Sequence, residues 1–207
     1  MTTATGLASG QSPIDVTDWV ASQEAAPRIA YGSDANRVER VHGLPIIHFN
    51  RGSELSLGHD RFRLLQLHWH TPAEHTIAAA EFDAELHFVH IGQHDELLVV
   101  GVVYRLGDSD EGLQRIIDQT LAAAEEDGAV PSLSAADHAP QSDGFYHYTG
   151  SLTAAPFSEP VQWYLARTTG TLSHRQFDQL QSLTGGPNAR PLQDRNERTI
   201  LCVGCAG

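Results

Sequence analysis

The chain has 207 residues and a formal charge of −13, and all of its fixed positive charge comes from 13 arginines, with no lysine. This length fits one domain whose core needs no disulfide or metal staple. Clustered cations for a phosphate backbone are missing, which argues against nucleic-acid binding. No apolar run is long enough to span a bilayer, and residues 1–20 carry neither Lys or Arg nor an apolar stretch of signal-peptide length, so a soluble, cytoplasmic protein with no membrane partner is expected.

The first 60 residues are rich in turn formers, with short strand-like pieces such as Pro45–Phe49. Three strong β segments follow at about Phe62–His70, Glu81–Ile91 and Glu96–Arg105, the last two separated by a hairpin-length connection at Gly92–Asp95. Asp110–Ala124 is expected to be helical, with Leu113, Ile116, Ile117 and Leu121 on one face. Residues 125–144 read as a loop, and Val161–Thr168 as a strand. A short helix then opens with Ser173 and Gln176 in capping-box spacing and buries Phe177, Leu180 and Leu183. The sum is a mainly β single domain with a few peripheral helices. Cys202 and Cys205 read as tail thiols without function, with a tail disulfide or an adventitious metal site as the alternatives, since no second pair completes a structural zinc site.

Three of the twelve histidines have metal-site spacing. Strand side chains alternate faces, so Gln66, His68 and His70 point one way while Leu65, Leu67 and Trp69 point the other. In the next strand Glu85, His87 and Val89 share a face, opposite Phe82, Ala84, Leu86 and Phe88. If the two strands pair antiparallel through Thr71–Ala80, His87 meets His68 and His70. Three imidazoles with an open fourth position suit a catalytic zinc. Gln66 and Glu85, each two residues upstream of a histidine, can accept from the ring N–H facing away from the metal. His75 and His90 are expected to make buried structural hydrogen bonds, and His94, His138, His147 and His174 to be solvated.

The stretch QLHWHTPAEHT at residues 66–76, followed by AELHFVH at 84–90, resembles the signature of alpha-class carbonic anhydrases. Further matching pieces come in the family's order: QSPI at 11–14, GSLT at 150–153 with Ser158 and Glu159, VQW at 161–163, and NARPLQ at 188–193 with Asn196 and Arg198. The resemblance runs from about residue 11 to 200. It implies a large, twisted, mostly antiparallel β-sheet and reversible hydration of CO2 to bicarbonate and a proton by zinc-bound hydroxide. His68, His70 and His87 would bind Zn2+. Gln66, Glu85 and the carbonyl of Asn188 would orient these ligands, and Thr153 would pass a proton to Glu74 and so fix the nucleophile's orientation. Val89, Val99, Leu152, Val161 and Trp163 would hold CO2, and either His42 or Gly43 falls at the position of a proton shuttle, which only His42 could serve. The chain departs from the family in its missing N-terminal aromatic segment, in Phe157 where a cysteine is often found, and in Ala154 where a hydroxyl is frequent. A catalytically silent carbonic-anhydrase-like binding domain is the alternative, and a zinc esterase a more distant one. A serine hydrolase is disfavoured by the lack of a Gly-x-Ser-x-Gly elbow.

Overall fold

A computed structural model describes residues 10–32, 35–41, 43–123 and 133–205. In chain order the elements are β1 (Asp15–Val16), β2 (Val20–Ser22), β3 (Arg28–Ala30), β4 (Ala35–Val41), β5 (Leu44–Phe49), β6 (Glu54–Leu57), β7 (Asp60–His70), β8 (Thr76–Ile77), β9 (Ala84–Ile91), β10 (Leu97–Leu106), α1 (Glu111–Ala123), a 3-10 turn (Ala135–His138), β11 (Phe145–Gly150), β12 (Val161–Ala166), β13 (Gly170–Leu172), α2 (His174–Leu183) and β14 (Leu201–Val203). The expected strands and both helices appear within a few residues of their expected ends.

One 12-stranded sheet carries the molecule, its main path running β2-β14-β11-β12-β10-β9-β7-β5-β4. The centre, β5-β7-β9-β10, is antiparallel throughout. At β10 the sense changes, because β12 and β13 both join it in parallel. The sheet is therefore mostly antiparallel, as the resemblance implies, with a parallel step at the far side of the site. Alternation along the strands divides the buried apolar residues into two layers. One holds Leu64, Leu67, Trp69, Leu86, Phe88 and Val100 under the helices. The other holds Val89, Val99, Val161, Trp163 and Leu165 on the opposite face. Each fully buried aliphatic side chain contributes about 2 kcal/mol, so this two-sided core is ample for a chain of this size.

Both helices pack on the first layer. Asp110 Oδ1 accepts from Leu113 N at 2.8 Å and caps α1. Leu113, Ile116, Ile117, Thr120 and Ala123 are buried, whereas Leu121 is 44% exposed, because the inward stripe passes through Thr120 instead. The α2 capping box forms as expected. Its buried residues are Gln176, Leu180 and Leu183, with Phe177 only partly buried. Gln176 takes the inner position because its side chain bonds both the N–H and the carbonyl of Asp110, joining the two helix starts. Trp69 on β7 donates to the Leu180 carbonyl at 3.1 Å, which anchors α2 to the back of the ligand strand.

Two further expectations are corrected. Cys202 and Cys205 are joined as a disulfide, and Cys202 is a fully buried core residue rather than a tail thiol. Phe82 packs in the same layer as Val89 and not with Ala84, Leu86 and Phe88. It precedes the first residue of β9, so strand alternation does not govern it.

Candidate active site

The site is built on β7 and β9, whose antiparallel register sets His68 opposite His87 and His70 opposite Glu85. A β-bulge between Leu64 and Gln66 absorbs one residue, so alternation from Gln66 onward matches that of β9. The imidazole centroids of His68, His70 and His87 lie 4.7–5.2 Å apart. One potential ligand atom from each lies within 4.8 Å of the other two.

Each ring is held from outside by an acceptor. His68 Nδ1 donates to Gln66 Oε1 at 2.8 Å, and His70 Nδ1 to the Asn188 carbonyl at 3.2 Å. His87 is turned the other way, its Nε2 donating to Glu85 Oε1 at 2.8 Å. With protons fixed on the outer nitrogens, the inner ones (Nε2 of His68 and His70, Nδ1 of His87) present bare lone pairs to one point. His68 Nε2 and His87 Nδ1 stand 3.3 Å apart with no proton left to share between them, and among the described residues buried His70 Nε2 has no hydrogen-bond partner. A small divalent cation bound by imidazole relieves all three, which is the arrangement of a zinc site with an open fourth position. Burial pushes the His68 and His70 rings below the ordinary imidazole value, favouring the neutral form a metal needs. Burial acts the same way on His87, but the Glu85 carboxylate outweighs it and raises that group.

Glu85 is the anchor of the arrangement. It is fully buried. Its Oε1 accepts from both His87 and His75, and its Oε2 accepts from the backbone N–H groups of Glu74 and His75, each at 2.9 Å. Burial opposes its ionisation, yet His75 and His87 hold its carboxyl well below the usual range. The carboxylate fits because Gly101 faces it from β10: a Cβ there would stand 3.0 Å from Glu85 Oε1 and 2.8 Å from Leu165. The chain of bonds runs on from His75 Nε2 to the Tyr148 hydroxyl at 2.7 Å and from there to Ser12 Oγ at 2.8 Å.

A row of register partners crosses the same face: His48, Gln66, Val89, Val99, Trp163 and Tyr148, from β5 through β11. Its apolar half, Val89–Val99–Trp163, adjoins the histidines, with the Trp163 ring 4.9 Å from that of His87. Val161 lies on the same face of β12, and Leu152 packs against this layer. All five residues expected to form a CO2 pocket are thus gathered on one side. Glu74 is buried among the ligands, with Oε1 accepting from Arg190 N at 2.9 Å and Oε2 4.0 Å from His87 Nδ1. That second oxygen has no hydrogen-bond partner, and among the described residues no hydrogen bond joins it to Thr153, which is nearly buried in the turn after β11. His42 lies outside the described residues.

Sequence reasoning anticipated His75 and His90 as buried and bonded. His90 takes a hydrogen bond from the Tyr31 hydroxyl at Nε2 and gives one to the Leu98 carbonyl. His147, expected to be solvated, is stacked 4.3 Å from the Tyr164 ring and donates to the Trp163 carbonyl. Tyr148 was not singled out, and Ser12 and Arg190 appeared only within matching motifs. Their roles come from pairings across as many as 178 residues, for which no local pattern is a signal.

This fold, with three histidines grouped so that they could hold a metal ion, is that of one known class. A family model described as eukaryotic-type carbonic anhydrase matches residues 4–203. Alpha carbonic anhydrase 4 of Arabidopsis thaliana is 30% identical over 203 residues, covering 92% of this chain and 73% of that protein. A hyperthermostable carbonic anhydrase from a hydrothermal vent chimney superposes with a TM-score of 0.86 at 30% identity, covering 95% of this chain and 88% of that one. The alpha-carbonic anhydrase of Thermovibrio ammonificans, in complex with the inhibitor sulfanilamide, gives 0.84 at 28% identity, over 93% and 86%. The chain belongs to the alpha carbonic anhydrase family, whose members are zinc-dependent.

Proposed function

We propose that the chain is a zinc-dependent carbonic anhydrase that reversibly hydrates CO2 to bicarbonate and a proton. The observation that carries this reading is the three bare, inward-facing imidazole nitrogens beside an apolar wall. His68, His70 and His87 would hold the zinc, which would supply a Lewis acid able to bring the pKa of a water near 7.

The chain's own residues do the rest. Gln66, the Asn188 carbonyl and Glu85 fix the tautomers and the directions of the three rings. Val89, Val99, Leu152, Val161 and Trp163 take up CO2, which is apolar and needs a hydrocarbon surface rather than a charged grip. The unpartnered Oε2 of Glu74 is an acceptor awaiting a donor, and the Thr153 hydroxyl is assigned to it. Thr153 would then accept a hydrogen bond from the attacking oxygen and aim its lone pair at carbon.

A silent binding domain on the same scaffold is the other reading, and members of that kind usually lack a zinc ligand. All three are retained here. Stopped-flow CO2 hydration, with and without chelator and with zinc measured in the same sample, separates the two. Zinc-dependent hydration is expected. A zinc-loaded protein with no hydration rate above buffer would favour the binding domain. A soluble cytoplasmic location is proposed on composition alone.

A further inference from the structure

Resting on the hydratase reading, we infer that His48 carries the product proton from the site to solvent. Each turnover converts CO2 and H2O into HCO3− and H+, so one proton must leave the cavity per bicarbonate. Among the described residues the other histidines are committed or misplaced. His75, His90 and His147 have ring nitrogens tied to Glu85, Tyr148, Tyr31 or backbone carbonyls. His59, His94 and His174 are exposed, on turns or at a helix start, and His138 lines a cavity beside α1, among Leu86 and Phe88 on the opposite face of the sheet.

His48 stands apart. On β5 it is the register partner of Gln66, the residue that holds His68, while its neighbour Ile47 pairs with Leu67 in the core layer. His48 therefore faces the metal side of the sheet, one strand and one two-residue step from His68, about 8 Å between Cα atoms by strand geometry. Its side chain is 30% exposed, so part of it meets solvent. Among the described residues its buried Nε2 makes no aligned hydrogen bond, although Glu39 stands close to it.

Among the described residues its charged neighbours come from one element. From β4, Glu39 Oε2 lies 3.2 Å from His48 Nε2, and Arg37, the register partner of His48, reaches the same carboxylate oxygen at 2.8 Å. From β7 it faces the neutral Gln66, and β5 has no other titratable side chain. Glu39 steadies the imidazolium while it holds the proton, and burial and Arg37 then favour its release. Bridging waters pass the proton from the site to the His48 ring, and an imidazolium N–H gives it to a buffer base.

The test pairs kinetics with a reading independent of turnover. His48→Ala should bind zinc normally and keep kcat/KM within about twofold, while kcat at low buffer concentration falls roughly tenfold or more and added imidazole restores it. By NMR, the His48 ring should titrate lower in the zinc-loaded protein than in the zinc-free one, and lower again in Glu39→Gln. An unchanged kcat at low buffer, a loss that imidazole does not rescue, or a His48 titration indifferent to zinc overturns the assignment. A buffer-dependent loss in His42→Ala but not in His48→Ala also overturns it, in favour of His42. A wild type with no hydration activity removes the hydratase reading first, and this inference with it. An active wild type indifferent to His48→Ala removes this inference alone.

Discussion

His75 and Glu85 meet at 2.7 Å, Nδ1 to Oε1, with neither side chain exposed at all. The same carboxylate oxygen reaches His87 at 2.8 Å. One buried carboxylate thus ties a metal-facing ring to a purely structural one, so the metal site and the core share a charge that neither can lose alone.

Glu85→Ala removes an acceptor used by four donors and leaves the buried N–H groups of two imidazoles unsatisfied. Each buried donor left without a partner costs about 1–3 kcal/mol. Glu85→Gln keeps the shape but not the charge, and zinc affinity should fall about 10–100-fold. Chemical denaturation of the first variant and chelator competition on the second measure the two effects. Unaltered affinity in Glu85→Gln would show that His87 does not depend on this oxygen.

His70→Ala deletes one of the three inward nitrogens. The purified variant should contain little zinc and have no hydration activity, while far-UV circular dichroism stays native. Full activity in rigorously zinc-free protein would sink the mechanism.

Thr153→Val tests the assignment to Glu74 Oε2. Zinc content should be unchanged and the hydration rate should drop on the order of 100-fold. Kinetics equal to wild type would place Thr153 outside the reaction.

Acid stability should depend on His90. Burial holds its folded-state pKa to about 4, against 6.5 for the free group, with the Leu98 and Phe88 carbonyls opposing that shift only in part. Between those values the unfolded chain binds more protons than the folded one. The contribution is therefore complete above about pH 6.5 and is lost as pH falls toward 4, a span on the order of 3 kcal/mol. Urea unfolding of wild type and His90→Gln across that window should give a flatter pH slope for the variant. Equal slopes would remove His90 as the cause.

Much of the site could be read from spacing alone, because a strand's period of two converts sequence directly into a face. Gln66, His68 and His70, and then Glu85, His87 and Val89, needed only that rule and an antiparallel pairing, and β7 and β9 supply it. The capping box of α2 was equally local. Where the period failed, the reading failed too: Phe82 lies before its strand begins, and Leu121 sits on the outer edge of a helical stripe completed by Thr120.

The tertiary structure alone decided which distant groups complete the site. Tyr148 reaches His75, Ser12 reaches Tyr148, and Arg190 reaches Glu74, across separations of 73 to 136 residues. His48 joins the metal face only because β5 pairs with β7 in a register that sets it against Gln66. A side chain's face follows from local backbone geometry, which sequence specifies residue by residue. Its neighbour across the sheet follows from strand order and register, which the packing of the whole chain selects.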